Sequence, residues 1–169
     1  MNKVQVELDQ KIEEYVNDNL KDKVDIKLYV EKIVEIALEK NNILNKNISL
    51  SIQSASKEEI RKLNCEYRDT DRATDVLSFP IFEREEIDNI KSGNDCIKLK
   101  QIELGDIILC LDVIKQQSIE YGTGILREVL YMITHGVCHL LGYDHIIPEE
   151  KEEMRTLEEE ILGNLGVFK

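Results

Sequence analysis

Apolar and polar positions alternate at the start of the chain. Val4, Val6 and Leu8 are separated by polar residues, which predicts a short strand with one buried face. Residues 10–23 are rich in charge with sparse apolar spacing, a pattern compatible with a helix. Val30, Ile33, Val34, Ala37 and Leu38 recur at helical period and predict an amphipathic helix over about residues 26–40, ended by Asn41 and Asn42. Ile48, Leu50 and Ile52 alternate with Ser49, Ser51 and Gln53, a second strand. Ser56-Lys57-Glu58-Glu59 is a capping box, in which the Ser side chain takes an orphan amide and the Glu reaches back. The helix it opens directs Ile60, Leu63 and Tyr67 inward, and Asn64 to Arg72 form its polar exit.

Val76-Leu77-Ser78-Phe79-Pro80 reads as a strand closed by its proline, and residues 81–103 as an exposed excursion. The near-continuous apolar run Gly105–Leu111 predicts a central strand. Residues 112–121 form a helix stopped by Gly122. Thr123 can cap the next, in which Leu126, Val129, Leu130 and Ile133 line the core side. A last helix over about 149–164 buries Met154, Leu157, Ile161 and Leu165. With no internal repeat, linker or low-complexity segment, residues 1–169 read as a single α+β domain of about four strands and five or six helices.

Composition limits what can fill that frame. Apolar residues are 42% but aromatic ones only 5%, with no Trp and three Phe, so the core must be Ile, Leu and Val. No apolar run is long enough to span a bilayer, and the N-terminal residues lack the apolar core of a signal peptide. A soluble, cytoplasmic protein is the expectation. Cys65, Cys96, Cys110 and Cys138 show no C-x2-C pairing and read as small buried residues or inert thiols. The net charge of -12 argues against a general polyanion binder. The acid is concentrated in residues 149–160 and 83–88, so the remainder of the chain is nearly balanced and leaves room for a local basic groove.

The three histidines of the chain, His135, His139 and His145, fall within eleven consecutive positions. Random placement would cluster them this tightly roughly one time in a hundred. On a helix, His135 and His139 project from one face one turn apart. Gly142 sits where the helix would stop in a left-handed residue, and the returning chain can bring in His145. Three imidazoles on one zinc ion leave a fourth position open, the catalytic rather than the structural arrangement. Ordinary helix histidines, one part-buried and two solvated, would explain a single His better than this spacing. Cys138 could add a ligand, but points about 100° away from His139, so packing is its expected role.

The spacing H-x3-H-x2-G-x2-H resembles the metzincin signature H-E-x-x-H-x-x-G-x-x-H, but Gly136 replaces the general-base Glu. A closer resemblance is to the YbeY family, bacterial metal-dependent endoribonucleases of rRNA maturation, through His135-Gly136-Val137-Cys138-His139-Leu140-Leu141-Gly142-Tyr143-Asp144-His145. Three further blocks match in order: Leu63-Asn64 with Tyr67-Arg68, Asp71 and Thr74–Pro80; Leu104-Gly105-Asp106-Ile107; and Arg127-Glu128. The match runs from about Asn47 onward. It departs at Cys138, where Leu is usual, in the length of 81–103, and in added residues at 10–25.

The resemblance implies a mixed sheet flanked by helices, with a zincin-like metal helix at the mouth of a cleft. It implies one zinc ion on His135, His139 and His145, with Arg68 as the catalytic arginine. The implied substrate is single-stranded RNA near the 3′ end of small-subunit (16S) rRNA. The implied partners are the small ribosomal subunit, with ribosomal proteins or an assembly GTPase as recruiters, and neither membrane nor DNA.

Read by itself, Arg68 could equally pair with Asp71 or Glu66. Asp144 could fix an imidazole tautomer or cap the turn after Gly142. Thr74, Asp75, Ser78 and Asp106, at strand ends, could bind backbone amides or RNA, and Tyr67 reads as core. Lys57, Arg61, Lys62, Arg68 and Arg72 form a weak phosphate-tracking edge, interleaved with acids. Two other functions fit the same residues: a metal-dependent hydrolase of peptides, and a non-catalytic, zinc-stiffened assembly module.

Overall fold

In the computed structural model, which describes residues 1–93 and 101–167, the alternating stretches pair edge to edge. β1 (Lys3–Leu8) lies parallel to β2 (Asn47–Ser54), with Val6 opposite Leu50. β2 lies parallel to β4 (Gln101–Leu109), with a register shift between Ser49 and Ser51. β3 (Val76–Pro80) runs antiparallel on the outer side of β4, and the mixed sheet has the order β1-β2-β4-β3. Each parallel step carries a helical crossover: α1 (Gln10–Asp18) and α2 (Ile26–Lys40) before β2, then α3 (Lys57–Arg68) and α4 (Arg84–Ser92) before β4. α5 (Leu111–Tyr121), α6 (Ile125–Leu140) and α7 (Pro148–Asn164) complete the chain. No helix among the described residues is long and apolar enough to cross a membrane.

The strand period divides the sheet into two faces. Ile107 and Leu109 of β4 join the main core with Ile48, Leu50 and Ile52 of β2, under α2 and α6. Ile108 instead packs with Leu77, Ile60 and Cys110 beneath α3. Aliphatic side chains fill the main cluster, as the shortage of aromatics requires. The Ser56–Glu59 capping box is present, with reciprocal bonds of 3.1 and 3.2 Å.

Several expectations are corrected. Residues 81–103 are not simply an exposed excursion: they contain α4, whose Ile87 and Ile90 are buried, and the start of β4. Asn94, Asp95 and Cys96 lie outside the described residues. With α4 the described residues hold seven helices. Tyr67 is 53% exposed rather than core. Its helix has reached the edge strand by that turn, and the ring meets Phe79 edge-on at 5.3 Å. Cys65 is likewise exposed, whereas Cys110 and Cys138 are buried. Thr123 does not cap α6: Gly124 holds the N-cap position, and the Thr123 hydroxyl donates to Glu128 Oε1 at 2.5 Å.

α6 packs against β3, β4, α2, α5 and α7, so it is held from several sides. The contact with β4 is close at Gly136. A Cβ there would lie 2.8 Å from Ile107 Cδ1 and 3.0 Å from two further atoms of that side chain. Gly136→Ala gains about 1 kcal/mol of helix propensity, but overpacking costs about 1–3 kcal/mol, so the variant should lose up to about 2 kcal/mol in denaturant titration. Combining it with Ile107→Val should cost less than the sum of the two single changes.

Candidate metal centre

The end of α6 is built so that one structure both stops the helix and orients a ring. Gly142 follows the C-cap Leu141 with φ +89°. Its N–H donates to the His139 carbonyl at 3.0 Å, and the Tyr143 N–H donates to the Cys138 carbonyl at 3.1 Å, a Schellman closure. The Tyr143 carbonyl is thereby turned back toward the helix, where it accepts from His139 Nδ1 at 3.0 Å. A carbonyl can only accept, so the His139 proton sits on Nδ1 and Nε2 carries a free lone pair. Across the site, His135 Nδ1 lies 2.7 Å from the Glu158 carboxylate on α7, which selects the same tautomer.

These two bonds aim the remaining nitrogens at each other: His135 Nε2 and His139 Nε2 are 3.1 Å apart. With both protons on Nδ1, two lone pairs face one another, an arrangement that calls for a cation between them. His145, delivered by the turn, completes the group. Its ring centre lies 5.5 Å from that of His135 and 5.1 Å from that of His139, and one ligand atom from each residue falls within 4.8 Å of the others. The donor set is three imidazoles, which suits a borderline transition metal.

Electrostatics favours the neutral form of His139. Burial, then the charges of His135 and His145, push His139 from its ordinary 6.5 down to about 4. Cys138 is shut into the core and its thiol is pushed up by burial, so it packs rather than ligates. The turn is braced from two sides. Tyr143 donates its hydroxyl to buried Asn41 at 2.7 Å, and Lys91 of α4 places Nζ 4.7 Å from the centre of the Tyr143 ring. α4 thus supports the loop that carries His145.

The other candidates divide into two places. Asp75 lines a cavity of 830 Å³ together with His135 and His145. Its carboxylate accepts from the Val76 amide at 2.8 Å and from Gln117 Nε2 at 3.1 Å. Arg68 and Ser78 are tied to each other at the end of α3 and do not line that cavity, the Arg68 Nη2 donating to the Ser78 carbonyl at 2.8 Å. Asp71 is taken in two bonds by Arg61, and Arg68 forms no ion pair among the described residues. Its charge lies 5.5 Å from the centre of the Phe79 ring. Asp144 accepts from its neighbour's backbone, His145 N–H, at 2.7 Å, while the His145 ring nitrogen is 4.0 Å away. The carboxylate that orients a ring is Glu158. A sequence signal for it existed, since residue 158 falls in phase with Met154 and Ile161 on the inward stripe of an acidic helix.

Fold and site together define an α+β protein carrying, at the end of a helix and in the turn after it, three histidines close enough to hold one metal ion. A family model described as Endoribonuclease YbeY matches residues 11–166. Curated proteins named Endoribonuclease YbeY are similar along most of their length. One from Thermoanaerobacter sp. (strain X514) is 40% identical over 157 residues, covering 89% of this chain and 96% of its own. Another from Caldicellulosiruptor bescii is 38% identical over 153 residues, covering 88% and 95%. The solution structure of TM1509 from Thermotoga maritima shares the fold, with a TM-score of 0.50 at 24% identity, over 98% of this chain and 91% of that one. The chain belongs to the YbeY family.

Glu158→Gln keeps a hydrogen-bond acceptor but removes the charge behind His135. It should weaken binding of a divalent transition metal about 10- to 100-fold in calorimetric titration while the protein stays folded. Acid should also destabilise the metal-free protein. Folded His139 takes up its proton only near 4, the unfolded residue near 6.5, so between these values the unfolded chain holds more protons. Stability should therefore fall as pH drops through that window, and His139→Gln should flatten this part of the slope.

Proposed function

We propose that the protein is a single-strand-specific, zinc-dependent endoribonuclease acting in 16S rRNA 3′-end maturation and ribosome quality control. The observation that carries this reading is the convergence of His135, His139 and His145 beside a cavity, in a member of the YbeY family. Cytoplasmic ribosomal precursors are the proposed setting. When bound, zinc would supply Lewis acidity and lower the pKa of a water molecule. The chain's own residues do the rest. Glu158 and the Tyr143 carbonyl hold two imidazoles in the ligating tautomer. Arg68, with no carboxylate partner among the described residues, keeps a guanidinium available for a phosphoryl group, whose oxygens it can meet in two parallel bonds.

Peptide hydrolysis is supported less well. Its general base would stand at Gly136, where the Ile107 side chain fills the space of even a methyl group. The net charge of -12 favours recruitment over free encounter with RNA, and ribosomal proteins or an assembly GTPase are the proposed recruiters. Neither DNA nor a membrane is part of this reading.

Wild type, His139→Ala and Arg68→Ala should be compared on precursor rRNA, with and without chelator. Chelation and His139→Ala should abolish cleavage. Arg68→Ala should keep fold and metal but lose roughly 10²- to 10³-fold in rate, as for other lost charge-stabilising donors. Full activity in that variant would remove Arg68 from the mechanism. Maturation supported in cells by a cleavage-dead His139→Ala protein would favour the assembly-module alternative.

A further inference from the structure

Arg127, Tyr131, His135 and His139 stand one turn apart on α6 and form a single stripe. Their side chains follow one another along it. The Arg127 guanidinium carbon is 5.1 Å from the centre of the Tyr131 ring, and Tyr131 stacks on His135 at 6.4 Å and 24°. The same cavity is lined by Arg127, Tyr131, His135 and His145. At 830 Å³ it falls within the range of about 300–1,000 Å³ typical of small-ligand sites. The stripe therefore leads from the metal centre along the cavity wall to a fixed positive charge.

That charge is poorly served by its surroundings. The Arg127 side chain is only 13% exposed, yet its contact with Glu128 is 3.5 Å long. Adjacent helix residues do not face each other, which explains the poor geometry. The same Glu128 oxygen already accepts from Thr123 at 2.5 Å. Arg127 Nε is buried and meets no acceptor among the described residues. Neutralising Glu128 accounts for the presence of a cation, but the long contact leaves a guanidinium that lines the cavity without a well-formed ion pair. Sequestered arginines normally engage an anion through two parallel bonds.

From Arg127 to His135 the helix rises by about 12 Å, a longer span than that between adjacent phosphates of a strand. We propose that Arg127 is a substrate-anchoring residue, which holds a backbone phosphate removed from the one at the histidines while the cavity takes the intervening nucleotide. The assignment rests on the endoribonuclease reading and adds to it a second point of grip. Arg127 is neither a metal ligand nor a catalytic group.

The test scans a neutral methylphosphonate linkage along a single-stranded RNA substrate. Cleavage is measured with wild type, Arg127→Gln and Arg127→Lys, and metal content is checked in each. In wild type, one flanking position should raise KM about 10- to 100-fold, the range of a hydrogen-bonded charge pair. Arg127→Gln should show a raised KM with an all-phosphate substrate, little change in kcat, and no further loss at that position. Arg127→Lys should fall between. If Arg127→Gln does not fold, the lysine variant and the wild-type scan carry the comparison. Wild type that cleaves but is indifferent to every flanking neutral linkage, or an Arg127→Gln protein with unaltered KM, overturns the anchoring role and leaves the nuclease reading intact. Absence of any metal-dependent cleavage by wild type overturns both.

Discussion

Two imidazole nitrogens stand 3.1 Å apart with their protons committed elsewhere, and most of the structure serves to keep them so. Left to itself, a histidine would rotate its ring or move its proton to the other nitrogen. Here both escapes are closed. Glu158 accepts from one ring and the Tyr143 carbonyl from the other, and burial disfavours the charged form of His139. A cation relieves the remaining repulsion, which is the sense in which the site is prepared for a metal before one arrives.

Each of the two acceptors depends on a different part of the fold. The carbonyl is placed locally, by a helix stop that needs a residue at positive φ. The turn is in turn pinned by Asn41, the C-cap of α2, and by Lys91 from α4. The carboxylate arrives from α7, whose buried Met154, Leu157 and Ile161 hold it in contact with the core and whose outer face carries the acidic run. The depth of α6 is set by Gly136 against Ile107. The glycine that departs from the protease-like motif is therefore favoured by packing, and the same packing disfavours a carboxylate side chain at that position.

The acidity of the chain and its proposed substrate are reconciled by where charge is placed. Most acidic side chains of α4 and α7 lie on exposed faces; Asp75, Glu128, Glu158 and Glu159 share the cavity lining with Arg127, Lys151 and Arg155, and Arg68 lies beside Phe79 at the sheet edge. On the proposed reading, a few fixed guanidiniums would act at short range on a phosphate, while the net charge governs long-range encounter. Specific grip on a strand and weak general affinity for RNA can then coexist.

By itself the sequence determined three of the four strands and the latter part of β4, the helices with strong period, the clustering of the three histidines and the family, because each is written in spacings of a few residues. The pairing of His135 and His139 follows from helix geometry, and the break at Gly142 from backbone sterics. Only the tertiary structure decided that Glu158 and not Asp144 orients an imidazole, that Tyr67 is exposed, that α4 braces the turn, and that Asp75 shares a cavity with the histidines. Each of these joins different elements of the fold, or depends on where a helix overruns the edge of the sheet. Periodicity along one segment reports which face is buried but not what lies opposite, so such contacts exist only once the helices have packed.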